Sequence, residues 1–354
     1  MILDINVRLV FFPSLRCLKV FSVLIFSGFF AAQTFSQTSI SLDTVFVGDD
    51  GNTEDTTGYG SVSYDYYIGK YEVANSEYSA FLNAVAATDT YGLWHQSMSI
   101  ERTGSSGDYS YGVVEGQAKH PVVRVSFYGA ARFANWLMNG QPTGSQDSST
   151  TETGFYTFSD ATTISSQGTR SASLIDGKNW VAIASEDEWY KAAYYDPTLN
   201  SGSGGYYQYP AGSDTAPTKS APTSDLNSAN YGGSNVVGST TVVGSYSGSP
   251  SPYGTFNQGG NVKEWIDSIP EESKRAFRGC FFNSSKGKAM LSTNRYPEVP
   301  TKKQNSLGFR ISSLTTVNDV PTISDVANQA TNEDAATGAL AVTLGDAETA
   351  VADL

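Results

Sequence analysis

The chain has 354 residues, with 22 Lys and Arg against 35 Asp and Glu for a formal charge of −13. That balance argues against a nucleic-acid backbone or an anionic membrane surface as a partner. Only Cys17 and Cys280 are present, which excludes a disulfide framework, and charged residues make up 16% while Gly (34), Tyr (21), Ser and Thr carry the polarity, the profile of a loop-rich extracellular protein.

Arg8, Arg16 and Lys19 flank an apolar run from Val20 to Ala32, followed by small residues at Thr34 and Ser36. About a dozen apolar residues are too few for a membrane span, which takes about 20. Residues 1–36 therefore read as a cleaved signal peptide, with the protein secreted or held at the cell surface. The next signal is a helix capped by Asn75 or Ser76, with Tyr78, Phe81, Leu82 and Val85 on one stripe. Ser126 opens a second helix, Phe127 to Asn139, which Gly140 stops. Ser185 and Glu188 form a capping box for a third, carrying Trp189, Ala192 and Ala193 and ended by Pro197. His120 precedes Pro121, which favours an extended entry into a strand over Val122 to Val125. Long Gly, Ser, Asn and Asp segments, 140–173 and 201–254, need something to order them, and bound cations are one such device. Past residue 313 a polar linker, 314–320, leads into 321–354, where short alternating strands with Asp and Asn turns resemble the opening of a cadherin-like or immunoglobulin-like repeat, a partial β-sandwich.

Residue inventory removes several reaction classes. His95 and His120 are the only histidines and stand in unrelated contexts, so a zinc or iron site is not expected. Nucleophile-elbow and nucleotide-binding glycine patterns are missing. The stretch Asn257-Gln258-Gly259-Gly260-Asn261-Val262-Lys263-Glu264-Trp265 sets side-chain oxygens around a glycine turn. Such hard donors suit Ca²⁺, and they equally suit a turn in which Asn257 and Glu264 cap backbone groups.

Five segments decide the matter of family: Tyr67 to Tyr78, His120 to Ala131, Ser185 to Trp189, Gly259 to Trp265, and Leu307-Gly308-Phe309-Arg310. Together, and in this order over residues 41–313, they resemble the formylglycine-generating enzyme, or sulfatase-modifying factor, family. The resemblance implies an irregular α+β domain of C-type-lectin-like topology with little regular secondary structure and bound calcium. It puts one calcium on Asn257, Gly260, Val262 and Glu264, and a second on Asn230, Tyr231, Asn235 and Val237, where Asn235 replaces the family's Asp. Active members oxidise a sulfatase cysteine with O₂ and a copper(I) ion held by two thiolates, the first of which falls near Ser284. Soft Cu(I) selects thiolates, and no cysteine follows Cys280. Copper is therefore not expected. Cys280 itself is either a reactive thiol or a small buried apolar residue. The expected function is a calcium-ordered binding or structural module of a surface protein, with a protein or glycan ligand to which loop aromatics such as Trp94, Tyr206, Tyr207, Tyr209 and Tyr231 contribute. The alternative is an active oxidase of this family or another oxidative chemistry on the same fold.

Overall fold

Local chemistry starts each of the three longer helices. The computed structural model describes residues 39–317 and the backbone of a small antiparallel strand pair, Thr322–Ile323 with Leu344–Gly345. The signal peptide over 1–36 and the body of the repeat over 321–354 lie outside the described residues. In chain order the framework comprises β1 (Thr44–Val47), β2 (Tyr66–Gly69), α1 (Asn75–Val85), α2 (Phe127–Met138), β3 (Val181–Ile183), α3 (Glu186–Tyr194), β4 (Lys263–Ile266), β5 (Arg275–Arg278), β6 (Tyr296–Glu298), β7 (Leu307–Phe309) and β8 (Ile311–Ser313).

Ser126 Oγ accepts from the Gly129 N–H at the start of α2, and Ser185 and Glu188 make the full reciprocal box at the start of α3. Helix α1 differs from expectation. Its cap position is Ala74, which offers no side-chain acceptor, and Glu77 alone reaches back, accepting the Ala74 N–H at 2.7 Å. The strand expected over Val122 to Val125 does not form, because Arg124 takes a left-handed φ of 63°. Only an isolated bridge, Ala74 to Pro121, remains of it.

Two four-stranded sheets result, one with order β1-β2-β8-β3, all antiparallel, and one with order β6-β5-β4-β7, in which only the β4–β7 pair is parallel. Glu264, Trp265 and Ile266 of β4 are all buried, as an interior strand requires. Strands β7 and β8 are separated by Arg310 alone, so the chain changes sheets within one residue. Between sheets and helices lies an aromatic core. Phe133 of α2 meets Phe81 of α1 at 5.4 Å and Phe309 of β7 at 5.5 Å between ring centroids, both edge to face. Such pairs contribute about 0.5–1.5 kcal/mol each beyond their burial. Packing continues past 313, since the Leu314 N–H bonds Trp180 O and Val317 is buried.

Side-chain amides order the long loops. Asn135, fully buried on α2, donates to Thr151 O and Tyr156 O, both at 2.7 Å, and accepts the Tyr156 N–H. Asn139 holds Thr150 O and Thr153 O, and Asn227 holds Thr215 O. An Asn135→Leu substitution strands three backbone groups at about 1–3 kcal/mol each, whereas Ser185→Ala removes one cap at about 1 kcal/mol. Urea denaturation is expected to rank Asn135→Leu as clearly the more destabilising, and the reverse order would mean that these amides are not what holds the loop.

Candidate functional site

The turn before β4 depends on two left-handed residues, Gly260 (φ 97°) and Asn261 (φ 58°). A Cβ on Gly260 would lie 2.8 Å from Asn230 O, so only glycine lets this turn approach the 230 segment. The approach is then fixed by Asn261. Its N–H donates to Asn230 O at 2.8 Å, its Oδ1 accepts from Asn230 Nδ2 at 3.2 Å and from the Thr241 N–H at 2.9 Å, and its Nδ2 donates to Glu72 Oε1 at 3.0 Å. The two sets of residues that the resemblance marked for calcium thus meet through a residue that belonged to neither. An asparagine flanked by Gly260 and Val262 was the available signal, for αL backbone favours Asn after Gly.

Within the first set, Asn257 Oδ1 accepts the Gly244 N–H at 3.1 Å. Glu264 is completely buried, and its carboxylate takes a bidentate pair from Arg310, Nε at 2.6 Å and Nη2 at 2.7 Å, plus the Trp189 indole N–H at 2.7 Å. Calcium sites draw much of their affinity from ionised carboxylates. Here the only charged donor of the set is already balanced by a guanidinium, leaving neutral oxygens at Asn257, Gly260 and Val262. Glu264 serves as the counter-charge of Arg310.

In the second set, Asn230 is 1% exposed, and its Oδ1 has no hydrogen-bond donor. Tyr231 follows it. Asn235 closes a short 3₁₀ turn, Gly233–Asn235, exposed to solvent, with Val237 just beyond. An orphaned buried amide oxygen is the kind of donor a cation takes, and the set would coordinate it without any formal charge.

Cys280 lies on the other side of β5, where Gly279 (φ 79°) turns the chain out of the strand. The thiol is 1% exposed in a small apolar cluster with Tyr209, Ala229, Tyr231 and Met290. Two of the expected ligand-facing aromatics, Tyr209 and Tyr231, are thus packed beneath it. Burial pushes the thiol pKa up, opposing a reactive thiolate. Over it opens a groove of about 370 Å³ whose lining includes Lys263, Phe281, Ser284, Lys286, Lys288 and Tyr296. Burial pulls the Lys263 ammonium down, and Lys263 Nζ donates to Gln304 Oε1 at 2.6 Å while lying over the rings of Phe277 and Phe281 at 4.6 and 5.1 Å. Lys286 and Lys288 are exposed.

The family model described as the sulfatase-modifying factor enzyme 1-like domain matches residues 22–313. The chain belongs to this family. Solved structures similar to it include Treponema denticola variable protein 1, 20% identical over 79% of this chain and 98% of that one with a TM-score of 0.48. CarF is 19% identical over 78% and 99% with a TM-score of 0.46, and PvdO from Pseudomonas aeruginosa is 17% identical over 77% and 92% with a TM-score of 0.43. No curated protein matches the chain. Mixed small helices and sheets are consistent with this family's fold, and Ser284, near which the resemblance puts the first copper ligand, lines the same groove as Cys280.

Glu264→Gln leaves the Arg310 charge buried without its partner, which costs about 3–5 kcal/mol. The loss in thermal stability is expected to be the same in calcium and in chelator. A loss seen only with calcium present would return Glu264 to the metal.

Proposed function

We propose that this member of the sulfatase-modifying factor family is a secreted binding module that holds an acidic ligand in the groove above Cys280 and does not perform the copper-dependent oxidation. The observation that carries the reading is the pairing at the groove: a single buried thiol, held protonated by its surroundings, faces Ser284, a hydroxyl that is a poor ligand for Cu(I). Three lysines and no carboxylate line this groove, in a chain of net charge −13. Lys263, stacked on Phe277 and Phe281, presents a preordered cation, while Lys286 and Lys288 add two exposed ones. An extended acidic polypeptide or a sulfated or carboxylated glycan at the cell surface matches that arrangement.

Purified secreted protein is expected to carry no stoichiometric copper by elemental analysis, and to leave a Cys-x-Pro-x-Arg peptide unchanged by mass spectrometry in the presence of Cu(I) and O₂. It should bind an aspartate-rich peptide or a sulfated oligosaccharide with an affinity that falls as salt rises. The Lys286→Glu, Lys288→Glu double variant should weaken that binding by roughly tenfold or more, the scale of two rim charges reversed. Conversion of the peptide would overturn the reading in favour of an oxidase.

Calcium belongs to this proposal at the second set, with Asn230 Oδ1, the Asn235 side chain and the carbonyls of Tyr231 and Val237 as its ligands. Lacking a carboxylate, such a site binds weakly, at about 10⁻³ M as in extracellular modules. Millimolar CaCl₂ is expected to raise the melting temperature of the wild-type protein, and to leave that of Asn235→Ala unmoved. No calcium shift in the wild type would remove calcium from this domain.

A further inference from the structure

The strand register of the second sheet lays out one wall of the groove above Cys280. Phe277 of β5 stands directly opposite Trp265 of β4 on one side and Tyr296 of β6 on the other. Residues opposite one another share a face of the sheet, and Lys263, two residues before Trp265, shares it too. Lys263, Phe277 and Tyr296 therefore form a row across β4, β5 and β6. The contacts agree with the register: Lys263 Nζ lies 4.6 Å from the Phe277 ring centroid, and the Phe277 and Tyr296 rings stack at 5.4 Å with 21° between their planes. All three residues line the groove. Phe277 covers one face of Tyr296, and Tyr296 is 38% exposed, so a flat aromatic surface held on a strand is left open to a ligand.

That surface sets a condition on an anionic ligand. The face of an aromatic ring is electron-rich, so a carboxylate or sulfate laid over it is repelled, while C–H groups polarised by neighbouring oxygens are attracted. The ligand has to bring a flat C–H surface to Tyr296 and its negative charge to Lys286 and Lys288, which are exposed in the same lining. A pyranose ring carrying sulfate or carboxylate on its rim does both. An aspartate or glutamate side chain brings the charge without the flat C–H surface. An extended polypeptide also loses a main-chain bond if it adds as a strand here, because β6 is the edge of the sheet and its middle residue, Pro297, has no N–H to donate. At about 370 Å³ the groove takes a short stretch of a glycan chain, and Ser284 and Ser285 add hydroxyl groups to its lining.

We propose that the ligand of this groove is an anionic glycan, one pyranose ring lying with its C–H face on Tyr296 while its sulfate or carboxylate groups reach Lys286 and Lys288. The assignment rests on the reading of the groove as an anion site and names the class of anion within it.

The test titrates the purified protein with a sulfated hexasaccharide, a uronate hexasaccharide without sulfate, a neutral hexasaccharide and hexa-aspartate. An anionic hexasaccharide is expected to bind more tightly than hexa-aspartate, with its ring C–H protons shifted upfield in the NMR spectrum by the Tyr296 ring current, and the neutral one is expected not to bind. The tighter of the two charged chains identifies sulfate or carboxylate as the anion. Tyr296→Ala should weaken glycan binding by roughly tenfold, and Tyr296→Phe should restore it. Hexa-aspartate binding as tightly as the glycans, or glycan affinity unchanged in Tyr296→Ala, overturns the glycan and leaves the anion site standing. No binding of any anion, or equal binding of the neutral chain, overturns the anion site and the glycan with it. Should Tyr296→Ala fail to fold, the upfield shift in the wild-type protein decides, and its absence overturns the proposal.

Discussion

One buried ion pair ties the fold together. Arg310 is the single residue between β7 and β8, and its guanidinium is 0% exposed. Five N–H groups leave it in a planar fork, and they reach Glu264 on β4, the carbonyls of Gly69 and Lys70 at the end of β2, and Phe256 O in the loop before the glycine turn. Glu264 in turn receives the Trp189 indole N–H from α3. Both sheets, one helix and one loop therefore converge on a single charge pair. Desolvating two ions is repaid only when geometry is good and the remaining donors are satisfied, and every donor here is satisfied. Burial lowers the Arg310 pKa, but the Glu264 carboxylate, with Glu72 contributing least, outweighs that cost and holds it above its ordinary value.

The first turn of α3 extends the same logic. Glu186, Asp187 and Glu188 sit where the helix dipole favours negative charge. Glu186 pairs with Arg278 of β5 at 2.7 Å and with Arg295, Asp187 accepts the Gly60 N–H, and Glu188 accepts from Ser312 of β8 and from Tyr64. A helix terminus thus supplies the counter-charge for Arg278 of the second sheet and an acceptor for Ser312 of the first. Asp267, just past β4, does likewise for Arg170 and Arg275. A domain with little regular secondary structure has few backbone ladders, and these charge-assisted bonds take over part of their role.

What could be read from the chain follows from which interactions are local. The capping box of Ser185 and Glu188 spans three residues, so it was visible, as was the apolar stripe of Tyr78, Phe81, Leu82 and Val85. The cap of α1 lies one or two residues before the expected Asn75 or Ser76, because its acceptor comes from Glu77 while Ala74 contributes no side-chain acceptor. The partner of Glu264 was invisible, since Arg310 is 46 residues away and both a cation cage and a guanidinium ask for the same carboxylate. Asn261 was passed over for a related reason: its role lies in contacts with Glu72, Asn230 and Thr241, none of them close in sequence. Order in the loops was also hidden. Amides such as Asn135 bind carbonyls 16 and 21 residues on, and nothing in the local pattern distinguishes them from solvated polar residues.

The residues that carry the family resemblance are, on this structure, mostly the ones that hold it together. Glu188, Trp189, Asn261, Glu264 and Arg310 all belong to the recognised segments, and all are buried in the networks just described. The groove is built differently. Cys280, Ser284, Lys286 and Lys288 lie in the turn between β5 and β6, outside every one of those segments, and their backbone is constrained chiefly by Gly279 and the 3₁₀ turn Gly287–Met290. Of the groove's cations only Lys263, beside Glu264 on β4, lies in a recognised segment, so most of the groove can change without loss of the Arg310 frame. Membership in the family accordingly establishes the architecture, and the activity has to be argued from the groove alone. There, a buried thiol sits among lysines and aromatic rings, and the anionic ligand proposed above rests on that arrangement.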